Sequence, residues 1–399
     1  MGDPFDSRII QQEIREALQN NNQALAVAKI QEYLEKEKNT PLNIAVTGEC
    51  GSGKSTLVNA LRDIDNRDEG AAPTGSAGTT VEVTPYPHPN FPNVTLWDLP
   101  GIGTTNYPAA DNMELVGFEK FDFFIIVSAD RFRENDVKLA QEFQRMKKKF
   151  YFVRSKIDKN IRDEERSQRE FSAERTLTQI RDNCRQGLQA AGVQSPQVFL
   201  VSSSELRLYD FPLLAETLER ELPEHKRNAL LLAISSNISL DMINKKKKAF
   251  HSKIKYVALL SAGVAGVAGP RLSIAVDVAL LVGLVTRYVF GFGLDIPSLK
   301  RWEDGTGVPF KDLMKVIISP LAAKKITPDL VLKVVAQCFS IVVLMAADER
   351  SRYVPLLGIP AAMGLSFVTT YKCISSFLNM LADDAQMVFK RALGLNPAV

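Results

Sequence analysis

A glycine-rich stretch near the start of the chain has the residue types and the spacing of a phosphate-binding loop. Residues 48–55 match the pattern G-x-x-x-x-G-K-[ST] as Gly48-Glu49-Cys50-Gly51-Ser52-Gly53-Lys54-Ser55. Glycines let several backbone N–H groups point into one concavity around a phosphate, and the helix that follows adds to the attraction for an anion. In this pattern the lysine reaches the β- and γ-phosphates, and the last hydroxyl ligates Mg²⁺. The chain is therefore predicted to bind a nucleotide together with Mg²⁺.

Two further motifs, each at the end of an apolar strand pattern, predict that the base is guanine. Asp98-Leu99-Pro100-Gly101 fits D-x-x-G, in which the Asp holds Mg²⁺ through water and the Gly N–H senses a γ-phosphate. Ser155-Lys156-Ile157-Asp158 matches the guanine signature [NT]-K-x-D with Ser in the first place. Guanine presents N1–H and an amino group side by side, and one carboxylate accepts both. Adenine has no such donor pair and would leave Asp158 desolvated and unpaired.

The remaining expected site residues lie in two loops. Segment 70–80, rich in glycine and small residues, is the expected switch I, in which Thr80 or Thr79 ligates Mg²⁺ when a γ-phosphate is present, with Thr74 as second choice. Residues 201–204 follow the last strand pattern and are expected near the guanine O6. The predicted catalytic residues are Lys54, Thr80 and Gly101, and the predicted metal ligands are Ser55, Thr80 and Asp98, the last through water. The predicted nucleotide-binding residues are Gly48, Glu49, Cys50, Gly51, Ser52, Gly53, Lys54, Ser55, Thr56, Asp98, Gly101, Ser155, Lys156, Asp158, Ser202 and Ser203.

The residue after D-x-x-G makes fast hydrolysis by a single molecule unexpected. Fast GTPases of the Ras type place a Gln there to orient the attacking water, whereas this chain has Ile102 followed by Gly103. Another part of the chain, or a partner, must then complete the site. Arg131 and Arg133 follow a strand pattern near the expected nucleotide rim and are candidates, although exposed surface arginines are the simpler interpretation.

The elements that must position these motifs alternate between strand and helix patterns from residue 42 to about residue 222. Apolar, β-rich runs occur at 42–47, 79–86, 94–99, 122–129, 150–156 and 197–203, and helical patterns such as 111–120, 134–148 and 172–191 lie between them. Such alternation predicts an α/β domain with a mostly parallel sheet, in which ligands bind at the carboxyl ends of the strands.

Helical patterns flank this domain on both sides. Patterns at 7–19 and 24–36 precede it, and residues 226–395 contain long apolar-periodic stretches interrupted by prolines. We expect a helical part at 1–40, a GTP-binding G domain at 41–223 and a helical domain at 224–399. The N-terminal and C-terminal helical parts are expected to pack together as one all-α domain.

Composition restricts the class of protein further. A length of 399 residues exceeds one ordinary domain, and 45% hydrophobic with 24% charged residues is typical of a globular protein. A net charge of +3 gives no global field that would favour nucleic acid as a partner. The four cysteines and three histidines are scattered, which predicts neither a zinc site nor a disulfide framework. The first twenty residues carry acids and no apolar core, so we expect no signal peptide and a cytoplasmic protein.

With these motifs in place, the chain resembles the immunity-related GTPases, the interferon-inducible family of vertebrates, over nearly its full length. Lys54 is similar to the members that carry Lys rather than Met in the phosphate loop. The segments that carry the resemblance, besides the phosphate loop, are 45–49, 69–75, 86–89, 97–103, 121–124, 150–154 and 209–212.

The resemblance implies a Ras-like G domain flanked by one composite helical domain. It also implies GTP-dependent self-association, G domain to G domain, with hydrolysis that is slow in the monomer and stimulated across that contact. Members of the family act peripherally at intracellular membranes in cell-autonomous defence, notably at vacuoles around pathogens, and some regulate autophagy. The partners implied are therefore a second copy of the chain and intracellular membranes, with GTP or GDP and Mg²⁺ bound.

Two departures from the family pattern affect these expectations. Some members have an activating acidic residue four places after the Thr that corresponds to Thr74, where this chain has Gly78. Some members begin with a myristoylation signal, but Asp6 stands where that signal needs Ser or Thr, so acylation is not expected.

Two apolar stretches, 256–290 and 353–370, leave two interpretations open. A hairpin or an interfacial helix at a membrane is one, aided for the first stretch by the lysines of 245–248. Because 269–271 and Asp277 interrupt the first stretch short of the ~20 residues that span a bilayer, buried helices of a helical domain are favoured. The lysine run is then a solvated helix face.

Two alternative functions also stay open. The first is a slow-hydrolysing, GTP-gated adaptor or scaffold without a defence role, which Ile102 and Gly78 favour. The second is a P-loop kinase or ATPase, which the guanine signature at 155–158 disfavours.

Overall fold

The computed structural model describes residues 7–75, 82–100, 117–129, 132–268, 270–336 and 361–395; the side chains of 7, 8, 237, 264–277 and 361–366 also lie outside the description. The chain divides into two compact units. One, the helical unit, comprises Met1–Thr40 and Leu240–Val399, and the other, the sheet unit, comprises Pro41–Ser239. The expectation that both helical ends of the chain form one domain around an inserted sheet domain is confirmed.

Strands and helices occur largely where the sequence patterns predict them. The strands are β1 Leu42–Gly48, β2 Thr84–Pro87, β3 Val94–Asp98, β4 Phe123–Ser128, β5 Phe150–Arg154 and β6 Val198–Leu200. The helices are α1 Ser7–Gln19, α2 Gln23–Asn39, α3 Lys54–Leu61, α4 Glu134–Arg145, α5 Ile157–Ser167, α6 Ala173–Ala190, α7 Phe211–Glu221, α8 Glu224–Ala233, α9 Leu240–Ala268, α10 Pro270–Gly291, α11 Ile296–Thr306, α12 Phe310–Met314 and α13 Ala361–Ala392. Residues 328–336 are helical as well.

The sheet is six-stranded, in the order β2-β3-β1-β4-β5-β6. All neighbouring strands are parallel except β2 and β3, which are antiparallel at one edge. Val46 of β1 pairs with Asp98 of β3, and Gly48 pairs with Val127 of β4. This register brings the carboxyl ends of β1, β3 and β4 to the same edge, where an open parallel sheet binds its ligands.

The core of the sheet unit explains why the central strands are continuous apolar runs. Every residue of β4 is buried, as expected for a strand covered by helices on both faces. Phe124 of β4 stacks on Phe143 of α4 with ring centroids 4.4 Å apart, and Phe121 meets Phe124 edge to face at 5.5 Å. The apolar side of α4 therefore holds this helix, which follows β4, next to the phosphate loop.

The sheet unit extends to Ser239, beyond the expected domain end at 223. The additional helix α8 packs against β1 and β3, and its Leu230 and Leu231 are buried. Lys226 of α8 also forms an ion pair with Asp122, with Nζ and Oδ1 2.5 Å apart. The end of the strand signal at Leu222-Pro223 is therefore not the end of the compact unit, because one more helix covers the sheet.

The helical unit has a core to which both ends of the chain contribute. Residues of α1 and α2, among them Leu18, Ile30 and Tyr33, pack with Tyr256 of α9 and Phe367 of α13. Residues 256–262 of α9 are buried, in agreement with the buried-helix interpretation of this stretch. The interpretation of the lysine run as a solvated face is wrong at Lys246, whose buried Nζ donates to the Gly291 carbonyl at 2.7 Å.

One stretch in the described part of the chain, Val278–Thr306, which covers most of α10 together with α11, is long and apolar enough to cross a membrane by length and composition alone. Its most apolar 18 residues have a mean hydropathy of 1.6, and 39% of them are buried inside the protein. A core helix of a soluble protein passes the same test, so this stretch is weak evidence for a membrane span.

Candidate functional site

The predicted phosphate loop connects β1 to α3, as the sequence pattern requires. Gly48 has φ 141°, and a Cβ at this position would lie 2.0 Å from the Val127 carbonyl oxygen, so only glycine fits. Gly53 caps α3 with φ 94°. The loop thus places the start of α3, with its free N–H groups, at the carboxyl edge of the sheet.

Lys54 is held inside the loop by the loop's own backbone. Its Nζ donates to the carbonyl oxygens of Gly48 at 3.1 Å and Glu49 at 2.9 Å, and only 6% of the residue is exposed. Burial lowers the pKa of the Lys54 amine below its usual value, against the attraction of Asp98. An anion bound in the loop would replace neutral carbonyls with charged oxygens as partners of this amine.

The two predicted metal-binding residues that the structure describes lie in direct contact. Ser55 Oγ donates to Asp98 Oδ2 at 2.7 Å, and both residues are buried. A buried hydroxyl and a carboxylate are hard oxygen donors of the kind that Mg²⁺ prefers, and one or two such ligands beside substrate phosphates are usual for this ion. Ser52 Oγ, also buried in the loop, has no hydrogen-bond partner among the described residues. The residues therefore fit a site for a phosphate and Mg²⁺.

The predicted guanine motif touches the phosphate loop through two side chains. Ser155 is buried, and its Oγ donates to the Ser52 carbonyl at 2.5 Å. Lys156 has φ 56° and its Nζ donates to the Gly51 carbonyl at 2.7 Å. Ser155, which stands in the place of the usual Thr or Asn, thus braces the phosphate loop through its hydroxyl, and Lys156 binds the backbone of the same loop.

Asp158 stands in the first turn of α5 rather than in a loop. The turn is anchored by Ile157, which is buried and whose N–H donates to the Val201 carbonyl at 3.2 Å. Asp158 Oδ2 accepts a hydrogen bond from Arg162 Nη2 at 2.9 Å, one helical turn further on. Arg162 was not identified from the sequence, although the spacing of four residues on a helix is the usual one for such a pair.

The loop after β6 lies beside the guanine motif. The Val201 N–H donates to the Arg154 carbonyl at 2.8 Å, which continues the pairing of β5 with β6. Ser202 is fully buried and its Oγ lies 2.9 Å from Ser204 Oγ. The predicted residues Ser202 and Ser203 are thus close in the fold to Ser155 and Asp158, while a role at the guanine O6 stays a prediction.

Glu49 of the phosphate loop contacts the start of α4. Its carboxylate accepts from Arg133 Nη1 at 2.7 Å and from Asn135 Nδ2 at 2.8 Å. The side chain of Arg133 is 53% exposed, so the interpretation of Arg133 as a surface residue holds, but the residue also pairs with the loop. Asn135 was not identified from the sequence, because nothing marks an amide two residues beyond a candidate arginine.

A buried acid supports this corner of the site. Asp136 accepts from Ser128 Oγ at 2.9 Å and from the Arg133 N–H at 3.1 Å. Burial raises the pKa of Asp136, against the lowering by these two hydrogen bonds. The end of β4 and the start of α4 are thereby joined, which fixes the backbone beside Glu49.

One residue of α3 and the residue just after this helix hold the start of the expected switch I and the chain beyond it. Asn59 is buried and exchanges two hydrogen bonds with the backbone of Ala72, accepting from its N–H at 2.7 Å and donating to its carbonyl at 2.9 Å. Arg62 donates to the carbonyls of Gly70 at 3.0 Å and Pro87 at 3.1 Å. Neither residue was identified from the sequence, since partners in the backbone leave no signature in side-chain types.

Several sequence predictions fall on residues that the structure does not describe. These are Gly78, Thr79, Thr80, Gly101, Ile102, Gly103 and Arg131. Thr74 is described and is exposed, as is Cys50. Thr56 is partly exposed in the first turn of α3, next to Ser55.

Several known proteins are similar in sequence to this chain over most of its length. The family model of the interferon-inducible GTPases (IIGP) matches residues 7–392. Interferon-inducible GTPase 5 of Rattus norvegicus is 41% identical over 382 residues, which cover 95% of this chain and 82% of the relative. Interferon-gamma-inducible GTPase 10 of Mus musculus is 34% identical over 404 residues, which cover 99% and 93%. A solved structure of an oligomerised bacterial dynamin pair covers 98% of this chain and 77% of that chain, at 13% identity and a TM-score of 0.33, too low a likeness to support an argument.

Proposed function

Since this chain belongs to the interferon-inducible GTPase family, we propose that it binds GTP at the candidate site and hydrolyses it to GDP and phosphate, slowly as a single molecule and faster on GTP-dependent self-association. The self-association occurs through the sheet unit, which corresponds to the G domain. The protein acts peripherally at intracellular membranes, from the cytoplasm, in cell-autonomous defence.

The observation that carries the guanine-nucleotide assignment is the hydrogen bond between Ser155 Oγ and the Ser52 carbonyl. It joins the base-recognition motif to the phosphate loop, so one rigid surface offers the loop N–H groups to phosphates and the Asp158 carboxylate to a base. Adenine would leave that carboxylate without donors. A P-loop kinase or ATPase is not retained, because the family consists of GTPases.

The expected roles at the site follow from the contacts. Lys54 exchanges the loop carbonyls for the β- and γ-phosphates, and the loop N–H groups surround the β-phosphate. Ser55, Asp98 through water, and Thr80 hold Mg²⁺, which neutralises charge on the phosphates when it is bound. Gly101 senses the γ-phosphate through its N–H. Lys54, Thr80 and Gly101 are thus the proposed catalytic residues.

Slow hydrolysis by the single molecule is proposed because Ile102 supplies no water-orienting amide. The Glu49 carboxylate, Arg133 and Asn135 form a polar cluster at the edge of the phosphate loop, with Arg133 half-exposed. A second molecule that docks on this edge would exclude water from the phosphates and strengthen every charge interaction there.

The experiment that tests the proposal measures GTP turnover and light scattering across protein concentration, in GTP, GDP and a non-hydrolysable GTP analogue. We expect turnover per molecule to rise with concentration, and scattering to rise with the GTP analogue but not with GDP. A Lys54→Ala variant, which lacks the phosphate-binding amine, should show neither rise. Turnover per molecule that stays flat while the protein binds GTP would contradict self-stimulation.

A GTP-gated adaptor or scaffold without a defence role is the second candidate, favoured by Ile102 and by Gly78 in place of an acidic switch residue. It predicts that the purified protein retains GTP for hours at every concentration. Release of phosphate within minutes at high concentration would exclude it.

A further inference from the structure

Asp158, the carboxylate expected to recognise guanine, already has a charged partner within the chain. Arg162 Nη2 lies 2.9 Å from Asp158 Oδ2, and the two side chains are 63% and 25% exposed. Both residues lie on α5, one turn apart, so the guanidinium reaches the carboxylate without any change in the backbone. The pair stands at the edge of the site, open to water.

Guanine needs both oxygens of this carboxylate. Its N1–H pairs with one oxygen and its amino group with the other, and each bond gains strength from the negative charge. The guanidinium of Arg162 occupies one of these oxygens and partly neutralises the charge. We propose that Arg162 is an intramolecular competitor of the guanine base, which lowers the affinity of the site for GTP and GDP.

Arg162 competes with guanine for Asp158 rather than orienting Asp158, because the backbone at Asp158 is firmly held and the Arg162 side chain is not. The backbone at Asp158 is fixed by the buried Ile157, by the Ile157 N–H on Val201 and by Lys156 on Gly51. Arg162, in contrast, is a long side chain more than half exposed to water. An exposed ion pair on a helix is weak, so guanine can displace the guanidinium into solvent, where it is fully hydrated.

The expected size of the effect follows from the strength of such pairs. An exposed pair is populated a few times more than its open form, and the apparent dissociation constant rises by the inverse of the open fraction. Removing Arg162 should therefore tighten binding of GDP by about two- to sixfold. High salt, which screens exposed pairs, should reduce that gain.

The test is equilibrium binding of a fluorescent GDP analogue to the full chain, with Mg²⁺, for the wild type, Arg162→Ala and Arg166→Ala. Arg166 lies one further turn along α5 and is exposed, so its loss changes the charge of the helix equally. We expect tighter binding for Arg162→Ala and an unchanged dissociation constant for Arg166→Ala. Equal tightening by both variants, no tightening, or weaker binding by Arg162→Ala would each overturn the proposal.

A change of base provides a second, independent comparison. Xanthine carries a carbonyl where guanine has its amino group, so the Asp158→Asn variant, with an amide in place of the carboxylate, should bind xanthosine diphosphate. In that background Arg162 has no anion to compete for, and adding Arg162→Ala should leave the affinity unchanged. If Arg162→Ala raised the affinity in the Asp158→Asn background as much as it raises the affinity for GDP in the wild-type chain, Arg162 would act elsewhere and the proposal would be overturned.

The role of Arg162 rests on the proposed function, since it requires guanine nucleotides to bind at Asp158. The two can nevertheless fail separately. A wild-type chain that binds neither GDP nor GTP refutes the proposed function. A chain that binds GDP equally well with and without Arg162 refutes only the competition.

Discussion

At the scale of single residues, the candidate site consists of polar side chains that are buried but bonded to the protein itself. Lys54, Ser55, Asp98 and Ser155 are all less than a tenth exposed. Each donates to or accepts from a neighbour in the loop or on the next strand, so none carries the full cost of desolvation. Binding of a nucleotide would therefore exchange one set of hydrogen bonds for another, in positions that are already set.

Ser155→Ala tests whether the link between the guanine motif and the phosphate loop matters. The change leaves the buried Ser52 carbonyl without this donor, and the desolvation penalty of such a group is about 1–3 kcal/mol. We expect the affinity for GDP to fall by about tenfold, which corresponds to about 1.4 kcal/mol. Calorimetric titration with GDP measures it, and Ser155→Thr, which keeps the hydroxyl, is the matched control. Equal affinities of Ser155→Ala and wild type would show that the link is dispensable.

At the scale of elements, the close approach of β1 to β4 and the start of α3 set the geometry of the phosphate loop. The turn at Gly48 brings β1 so close to β4 that no side chain fits, and α3 starts immediately after Gly53. Asn59 near the end of α3 and Arg62 just after this helix bind the backbone at Ala72, Gly70 and Pro87. Helix α3 and the residue after it thus connect the phosphate-binding residues to the start of the expected switch I and to the chain beyond it.

Replacement of two loop glycines separates steric exclusion from backbone conformation. Gly51 has φ 78° and open space where a Cβ would lie, so Gly51→Ala should cost about 1–2 kcal/mol, the usual penalty for a left-handed residue. At Gly48 the same change also drives a methyl group to 2.0 Å from the Val127 carbonyl. We expect Gly48→Ala to lower the free energy of unfolding, measured in urea, by more than about 4 kcal/mol. Similar unfolding midpoints for both variants would contradict this steric account.

Asn59→Ala tests the connection between α3 and Ala72. The change removes two bonds to the Ala72 backbone and one to Asn66, all at a buried position. Because the change leaves buried polar groups without partners, we expect the free energy of unfolding in urea to fall by about 2–4 kcal/mol. Asn66→Ala, at a more exposed position and with one bond lost, should cost below about 0.5 kcal/mol. A loss for Asn59→Ala no larger than for Asn66→Ala would refute the anchoring role.

The sequence predicted the elements of this edge better than the contacts between them. Strands β1, β3 and β5 carry long apolar runs and end in motifs, so Ser55 meeting Asp98 follows from motif order. Helix α5 was not predicted, because Ile157 and Ile161 are its only apolar residues. Without that helix the pairing of Asp158 with Arg162 could not be derived. Contacts to backbone, such as those of Asn59 to Ala72, are invisible to any pattern of residue types.

At the scale of the whole molecule, each compact unit has a core of its own. The core of the helical unit forms where α1 and α2, from one end of the chain, pack with α9 and α13 from the other. Helical patterns flank the sheet pattern on both sides in the sequence, which predicts this pairing of the ends. The expected end of the sheet unit at residue 223 is too early, since the apolar residues of α8 have the same periodicity as those of the helices that follow.

A fragment comprising Pro41–Ser239 should therefore fold alone and bind GDP, whereas a fragment that ends at residue 223 should be much less stable. The shorter fragment lacks α8, with the buried Leu230 and Leu231 and the ion pair between Lys226 and Asp122. Loss of one buried leucine side chain costs about 2–5 kcal/mol, so a difference of at least about 4 kcal/mol is expected. Urea unfolding of both fragments measures it, and Lys226→Ala in the longer fragment separates the ion pair from the apolar contacts. Equal stabilities would mean that α8 is not part of the sheet unit in solution.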